Sequence, residues 1–518
     1  MATRPTRARK IAAAVPILFV VGLAALIASV YAISIFSNNR TLVVALFGGA
    51  LFAGTLFALG NTRLTVLYGL LLSAPLSIGK DFSPVPHMGG ASSYAIVASD
   101  AFLAILVVFQ LADRLGRGKA LDIPPGTYAL IVMILVGVLH TLFGPAFTLS
   151  SQQTFQMIKE LILFVVVTNE LVRARRFMHA FWILMLGLVV QSAIGIAQYL
   201  VGGDLGLQVL GEADASTLAL ANLATYGEGA DVFRIGGLLG HPNLLAGSIA
   251  LLLPLAVAML ASEMTALQRN ILYAICAISG AALILTLSRS GWLSGAFGIF
   301  IVITFSVLHP RWRKRALPLT ILTSAGGFAA AMVALPIIIQ RFLNSDRGAT
   351  DFRFEWMEVA WNFVVANPLT GVGLNTFVFQ LPNNNPYGGV AALTQRFGDN
   401  WPVVHNIYLL VWSEMGTIGF GAFMFTMYRL LVIAFINLRD VIDPRIYAIS
   451  IGCAGGLGAI MLDGMASFFL RNPQCARLFW IVAAMMVACY FWNRRNGPLR
   501  AEADAEAARQ AQAQAATV

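Results

Sequence analysis

The feature that limits this chain most is a succession of apolar windows, most of roughly 16 to 23 residues, each able as a helix to cross a hydrocarbon layer about 30 Å thick. They fall near 11–36, 41–60, 64–79, 94–112, 127–147, 154–171, 180–201, 244–261, 271–287, 291–308, 317–338, 417–437, 446–468 and 476–492. With 58% hydrophobic and only 11% charged residues in a chain of 518, a soluble globule is excluded. The expected fold class is all-α: a polytopic integral membrane protein with about 12 to 14 transmembrane helices.

A formal net charge of +10 would suit nucleic acid, but the basic residues stand in short clusters between apolar runs, where they act as topology signals. With the amino terminus inside, the inner loops receive Arg114, Arg117 and Lys119, then Arg173, Arg175 and Arg176. Arg311, Arg313, Lys314 and Arg315 follow, then Arg439 and Arg445, and finally Arg494 and Arg495. Cys276, Cys453, Cys475 and Cys489 lack metal-type spacing and read as membrane-core side chains. The apolar stretch after Arg4, Arg7, Arg9 and Lys10 is long enough to span and has no small-residue cleavage site, so no cleavable signal peptide is expected.

This orientation puts the long polar segments 80–93, 202–243 and 338–405 on the outer side, and three of the six histidines, His87, His241 and His405, fall in them or at their edges. Loops of such length inside a compact protein are usually functional. The expected layout is an N-terminal membrane region 1–337 with outer loops 80–93 and 202–243, a large outer loop 338–405 containing short helices, C-terminal membrane helices 406–493, and an inner tail 494–518.

The stretch Trp401–Gly419 ends a long polar segment on His405 just before the chain re-enters membrane. A histidine there suits general-base work, with protons on one side and a dry slot on the other; capping the next helix is the plainer role. Upstream, Asp231-Val-Phe-Arg-Ile-Gly-Gly-Leu-Leu-Gly-His-Pro-Asn243 holds Arg234 near a helix start signalled by Pro242 and Asn243, where an anion would meet both a guanidinium and free N–H groups. The alternative is a glycine turn with Arg234 paired to Asp231. Arg289, in a hairpin of a few residues, either snorkels to the outer interface or points into a cavity. In the third segment, apolar positions 352, 356, 359, 360 and 363 recur with helical spacing and leave Arg353 and Glu358 on other faces, which reads as a helix on the membrane surface. Asn367-Pro-Leu-Thr-Gly-Val-Gly then breaks it.

Together these residues resemble the O-antigen ligase superfamily. Arg234-x-x-x-Leu238, the Leu-Ser-Arg289 hairpin, Asn367-Pro-Leu-Thr-Gly371-Val-Gly373, and His405-Asn406 followed after nine residues by Gly416-Thr-Ile-Gly419 carry the likeness, which is clearest from about 231 to 420. The resemblance implies a membrane glycosyltransferase of the bacterial inner membrane. It would move a glycan from an undecaprenyl-diphosphate carrier to a lipid or glycan acceptor hydroxyl on the periplasmic face, with neither nucleotide sugar nor metal. Polysaccharide polymerases share the plan. Arg234 and Arg289 would hold the diphosphate, His405 would be the base, and Arg353, His241, Asn243, Asn406, Gly371 and Gly373 would contact substrate. No cofactor and no nucleic-acid partner is expected.

Asp204, Glu212, Asp214, Glu228 and Asp231 are spaced too loosely for a hard-cation site and read as solvated. Asp100, Glu160 and Asp463, within or near apolar runs, are candidates for burial, with hydrogen bonds between helices as their plainer role. A transporter is the other class to weigh, but no internal repeat is evident.

Overall fold

A computed structural model describes residues 60–85, 89–118, 120–174, 176–213, 223–226, 230–309, 347–383, 389–397, 401–439 and 443–515, with positions 313–314, 335 and 339. Apart from Gly60 and Leu335, the windows 11–36, 41–60 and 317–338 lie outside the described residues, as do His87, Asp214 and Glu228.

The first described helices are α1 (Thr62–Ser73), α2 (Ala98–Arg117), α3 (Thr127–Phe143), α4 (Phe147–Ala174) and α5 (Phe177–Val201). Next come α6 (Pro242–Leu260), α7 (Ala266–Leu285) and α8 (Arg289–Leu308). The third outer segment carries α9 (Arg347–Ala366), α10 (Phe377–Gln380) and α11 (Gly389–Phe397), and the chain closes with α12 (Ile407–Arg439), α13 (Pro444–Asp463) and α14 (Pro473–Ala515). Every apolar window that falls among the described residues holds a helix, because backbone in lipid has to satisfy its own hydrogen bonds.

Among the described residues seven helices are long and apolar enough to cross a membrane: α5 to α8, α12, α13, and α14 as far as Asn496. Helix α1 stops after 12 residues, ahead of Pro75, and α3 has 17. Helices α2 and α4 are long, but the first carries Asp100, Asp113 and Arg114 and the second Lys159, Glu160 and Glu170. Those charges pair inside the protein: Arg63 bridges Asp113 and Glu170, Arg176 reaches Glu170 at 3.1 Å, and Lys159 meets Asp100 at 2.9 Å. Glu160 accepts from Trp480 Nε1 at 3.1 Å and so ties α4 to α14. Paired in this way, charged side chains can sit at membrane depth.

Two short antiparallel hairpins interrupt the helices, β1 (Gly79–Phe82) with β2 (Tyr94–Val97) and β3 (Leu223–Tyr226) with β4 (Ala230–Phe233). The first closes the outer loop expected at 80–93, and the second delivers the chain to Arg234.

The core is centred on α6, which is buried on nearly every side, and on α13 and α14. Small residues allow the approach: a Cβ on Gly456 of α13 would lie 2.0 Å from the Leu251 carbonyl of α6, and one on Gly298 of α8 would lie 2.8 Å from the Gly455 carbonyl. Helix association in lipid relies on this kind of close backbone packing, because burial from water no longer drives it. All four cysteines are free.

Helix α9 confirms the periodicity of its sequence. Trp356, Val359, Ala360 and Phe363 are buried, while Phe354 and Trp361 are exposed. That buried stripe packs against protein, chiefly α12, so the helix expected to rest on the membrane surface is docked on the C-terminal bundle.

Candidate functional site

Helix α12 begins ten residues before the expected span at 417–437, because Asn406 starts it. The Asn406 Oδ1 accepts from Leu409 N at 3.0 Å and its Nδ2 donates to the Met465 carbonyl at 3.2 Å. Both ends of the amide are therefore engaged inside the protein, which gives Asn406 a capping role. The helix is broken at Gly416, whose φ of 63° and ψ of −173° are not helical. A side chain there would strike the Leu369 carbonyl at 2.2 Å. The 367–373 loop fits into this break. Thr417 N donates to the Pro368 carbonyl at 2.8 Å, Val372 N to Ser413 O at 2.9 Å, and Gly373 N to Glu414 O at 3.0 Å.

Gly371 has φ of +73° and sits against the Glu414 and Gly416 backbone, while Gly373 abuts Pro145. The two glycines expected to contact substrate thus let the lid close onto α12. Below them Glu414, almost fully buried, accepts from Phe377 N at 3.0 Å and pairs with the buried Arg471. Asn375, in the left-handed region at φ 62°, donates to the Ala91 and Leu149 carbonyls at 2.8 and 3.1 Å.

This clasp sets the position of His405. Its Nδ1 lies 3.0 Å from the Val403 carbonyl and its ring meets Phe468 edge-on at 5.2 Å. A carbonyl can only accept, so the hydrogen bond requires the proton on Nδ1 and leaves Nε2 as the lone-pair site. Burial first, and the positive charge of Arg353 second, push the imidazole down to about 4 against the opposing pull of Val403. His405 is therefore neutral at ordinary pH.

His241 takes the other tautomer. As the residue before Pro242 at the start of α6, it accepts the Asn243 N–H on Nδ1 at 3.1 Å, so its proton is on Nε2. Burial, then Arg234, His405 and Arg353, hold it down to about 3. Two arginines from separate segments thus bring charge to one histidine, with His405 beside it.

Arg234 follows β4 directly. Its Nε donates to the Thr286 carbonyl and a terminal nitrogen donates to Asn243 Oδ1, both at 3.0 Å. Thr286 lies in the α7–α8 turn that also carries Arg289, where Leu287 has φ of 51° and the Ser288 hydroxyl accepts from Gly291 N at 3.4 Å. Arg234 and Arg289 therefore share one turn, and the Asn243 side chain orients the first of them. The glycine segment between Arg234 and His241 is pinned from α5, where Gln198 Oε1 accepts from Gly237 N and Gln191 Oε1 from Leu238 N, each at 2.9 Å.

Asp463 is one of the acidic residues that the sequence marks as candidates for burial and as possible functional residues. It closes α13 at 2% exposure, with Ser290 and Ser467 on its carboxylate and Arg353 near enough to act on its charge. Its Oδ2 has no hydrogen-bond partner among the described residues. Ser290 and Ser467 carried no signal in the sequence, since a serine inside an apolar run has many uses.

The helices define an all-α, multi-pass membrane protein, and its candidate site gathers two histidines of opposite tautomer, three arginines and a buried carboxylate. The profile of the family described as O-antigen ligase matches residues 274–424, a stretch under half of the chain that holds Arg289, Arg353, Gly371, Gly373, His405 and Gly416. That match supports the O-antigen ligase superfamily, of ligase or polymerase type, whose substrates are in general lipid-linked glycans. No curated protein matches the chain.

Proposed function

We propose that the protein transfers a glycan from an undecaprenyl-diphosphate carrier to an acceptor hydroxyl, of the lipid A-core type, at the periplasmic face of the bacterial inner membrane. The observation that carries this reading is the juxtaposition of His241 and Arg353 with His405, whose tautomer presents Nε2 as a base, and of Arg234 with His241.

The acceptor oxygen attacks the anomeric carbon as its proton passes to His405 Nε2, and the bond from that carbon to the carrier diphosphate breaks with its electron pair on oxygen. Charge grows on the leaving diphosphate, and guanidinium groups suit it because they stay protonated and present a fork to phosphate oxygens. Arg234, Arg289 and Arg353 fill this role, while His241 Nε2–H is a neutral donor beside them. Asp463 is the carboxylate near Arg353 and would favour the charge of that guanidinium. A single displacement of this kind inverts the anomeric centre.

The test is the His405→Ala strain. Expected is a folded protein at normal level with transfer reduced about 10²- to 10⁴-fold, carrier-linked long chains accumulating, and lipopolysaccharide carrying core alone. Single repeat units still reaching their acceptor would point instead to a polymerase. A normal glycan profile would end the proposal and turn attention to transport.

A further inference from the structure

Beside the clasp a cavity of about 510 Å³ opens between the α3–α4 turn, the end of α9 and α10, with Phe143, Pro145, Asn362, Phe363, Asn367 and Gln380 in its wall. Its size falls within the roughly 300 to 1,000 Å³ common for small-ligand sites. The proposed reaction makes no use of it. Gly371 and Val372 complete the wall, and through them the cavity adjoins Ser413. Ser413 is six residues, about 9 Å along the helix, past Ile407.

The lining selects its ligand by chemistry. No charged side chain takes part, so an ion would give up hydration without a partner. Asn362 and Asn367 are exposed and Gln380 is half-buried, and their side-chain amides form no hydrogen bond with another described residue, so they face solvent across the groove. A purely apolar ligand would strand these three groups. Each amide offers two donors and an acceptor, which matches hydroxyls that both donate and accept. At the rim Phe143 is 82% exposed, with Leu142 and Phe147 beside it at 63% and 62%, an apolar edge of the kind that suits lipid. An uncharged ligand rich in hydroxyls and tethered to a membrane meets all of these conditions.

We infer that this open groove is a saccharide subsite, which holds uncharged sugar residues of a membrane-anchored glycan while the reacting end of that glycan lies at His405. The inference rests on the transferase reading for the second half of that statement only. Either glycan, donor or acceptor, offers the required hydroxyls.

The experiment titrates two lipid-free probes, the core oligosaccharide and the carrier-free repeat-unit oligosaccharide of the source strain, into purified protein in nanodiscs. Expected is binding of one probe, equal in wild type and His405→Ala. Asn362→Leu with Gln380→Leu weakens that binding by about ten-fold or more, since each lost neutral hydrogen bond is worth roughly three- to ten-fold. The same pair raises KM for the matching substrate and leaves kcat unchanged, as loss of uniform binding requires. Ala366→Trp, an exposed wall position, gives the same result by filling the space. Binding of the core oligosaccharide assigns the subsite to the acceptor, and binding of the repeat unit assigns it to the donor. If neither probe binds wild type, or the double variant binds as wild type does, the inference falls. Transfer that depends on His405 with an unchanged KM in the double variant sinks the subsite and keeps the transferase. Binding that the double variant abolishes, in a protein without transferase activity, does the reverse.

Discussion

Arg353 and His405 stand on separate segments, and their opposition sets how the base behaves with pH. In the free protein burial and the arginine hold His405 near 4, so it is neutral and able to take a proton at any higher pH. Accordingly kcat/KM, which reports the free protein, is expected to stay level down to about pH 4 and to fall below it. A bound diphosphate offsets Arg353 and favours the imidazolium, so the acidic limb of kcat lies at higher pH. Arg353→Gln removes the repulsion and moves the kcat/KM limb up toward the ordinary value of about 6.5. A limb that stayed in place in this variant would show that Arg353 is not the cause. Much of this chemistry was legible from residue type and position: His405, Arg234 and Arg289 are polar groups at the ends of apolar runs. Arg353 could be placed on a helix face but not beside His405, because no local pattern encodes a contact across 52 residues of intervening chain. The tautomers were out of reach, since each depends on one backbone group.

Helix α12 shows how a motif spacing becomes geometry. Nine residues separate Asn406, which caps the helix, from Gly416, which breaks it, and the lid loop docks in the break. Gly416→Ala forces a side chain into a left-handed position against the Leu369 carbonyl. The cost is about 2 kcal/mol or more. Expected are a lower Tm in detergent and a loss of transfer, whereas Gly421→Ala, where a Cβ would meet nothing within 4 Å, leaves both unchanged. Equal behaviour of the two variants would refute the clasp. At this scale the sequence was read unevenly. Helix α9 was legible because its apolar positions recur at helical spacing, but the partner of that stripe was not. The hairpins were missed because each strand is only four residues long, too short for a period to register. The start of α12 was placed late because averaged hydropathy cannot see a cap.

Across the whole molecule, seven described helices are long and apolar enough to span, and the positive-inside rule leads us to expect the lid on the outer side. A reporter fused after Gln380 is expected to read periplasmic and one after Arg439 cytoplasmic. The reversed result would deny the site any access to a flipped carrier glycan. The membrane class and most helix positions were legible from composition and window length, while the ion pairs of charged helices such as α2 and α4 were not, because their partners lie in distant sequence. The lid contacts carry one more consequence. Ser150 donates to Leu374 O, and Asn375 to Leu149 O and Ala91 O, across 224 to 284 residues of sequence. At roughly 5 to 20 residues per second of synthesis, the α3–α4 region therefore waits on the order of ten seconds or more for the segment that completes it. Until then the ribosome holds a chain that is inserted but has no lid, and the ability to act on a glycan arrives only in the last part of translation.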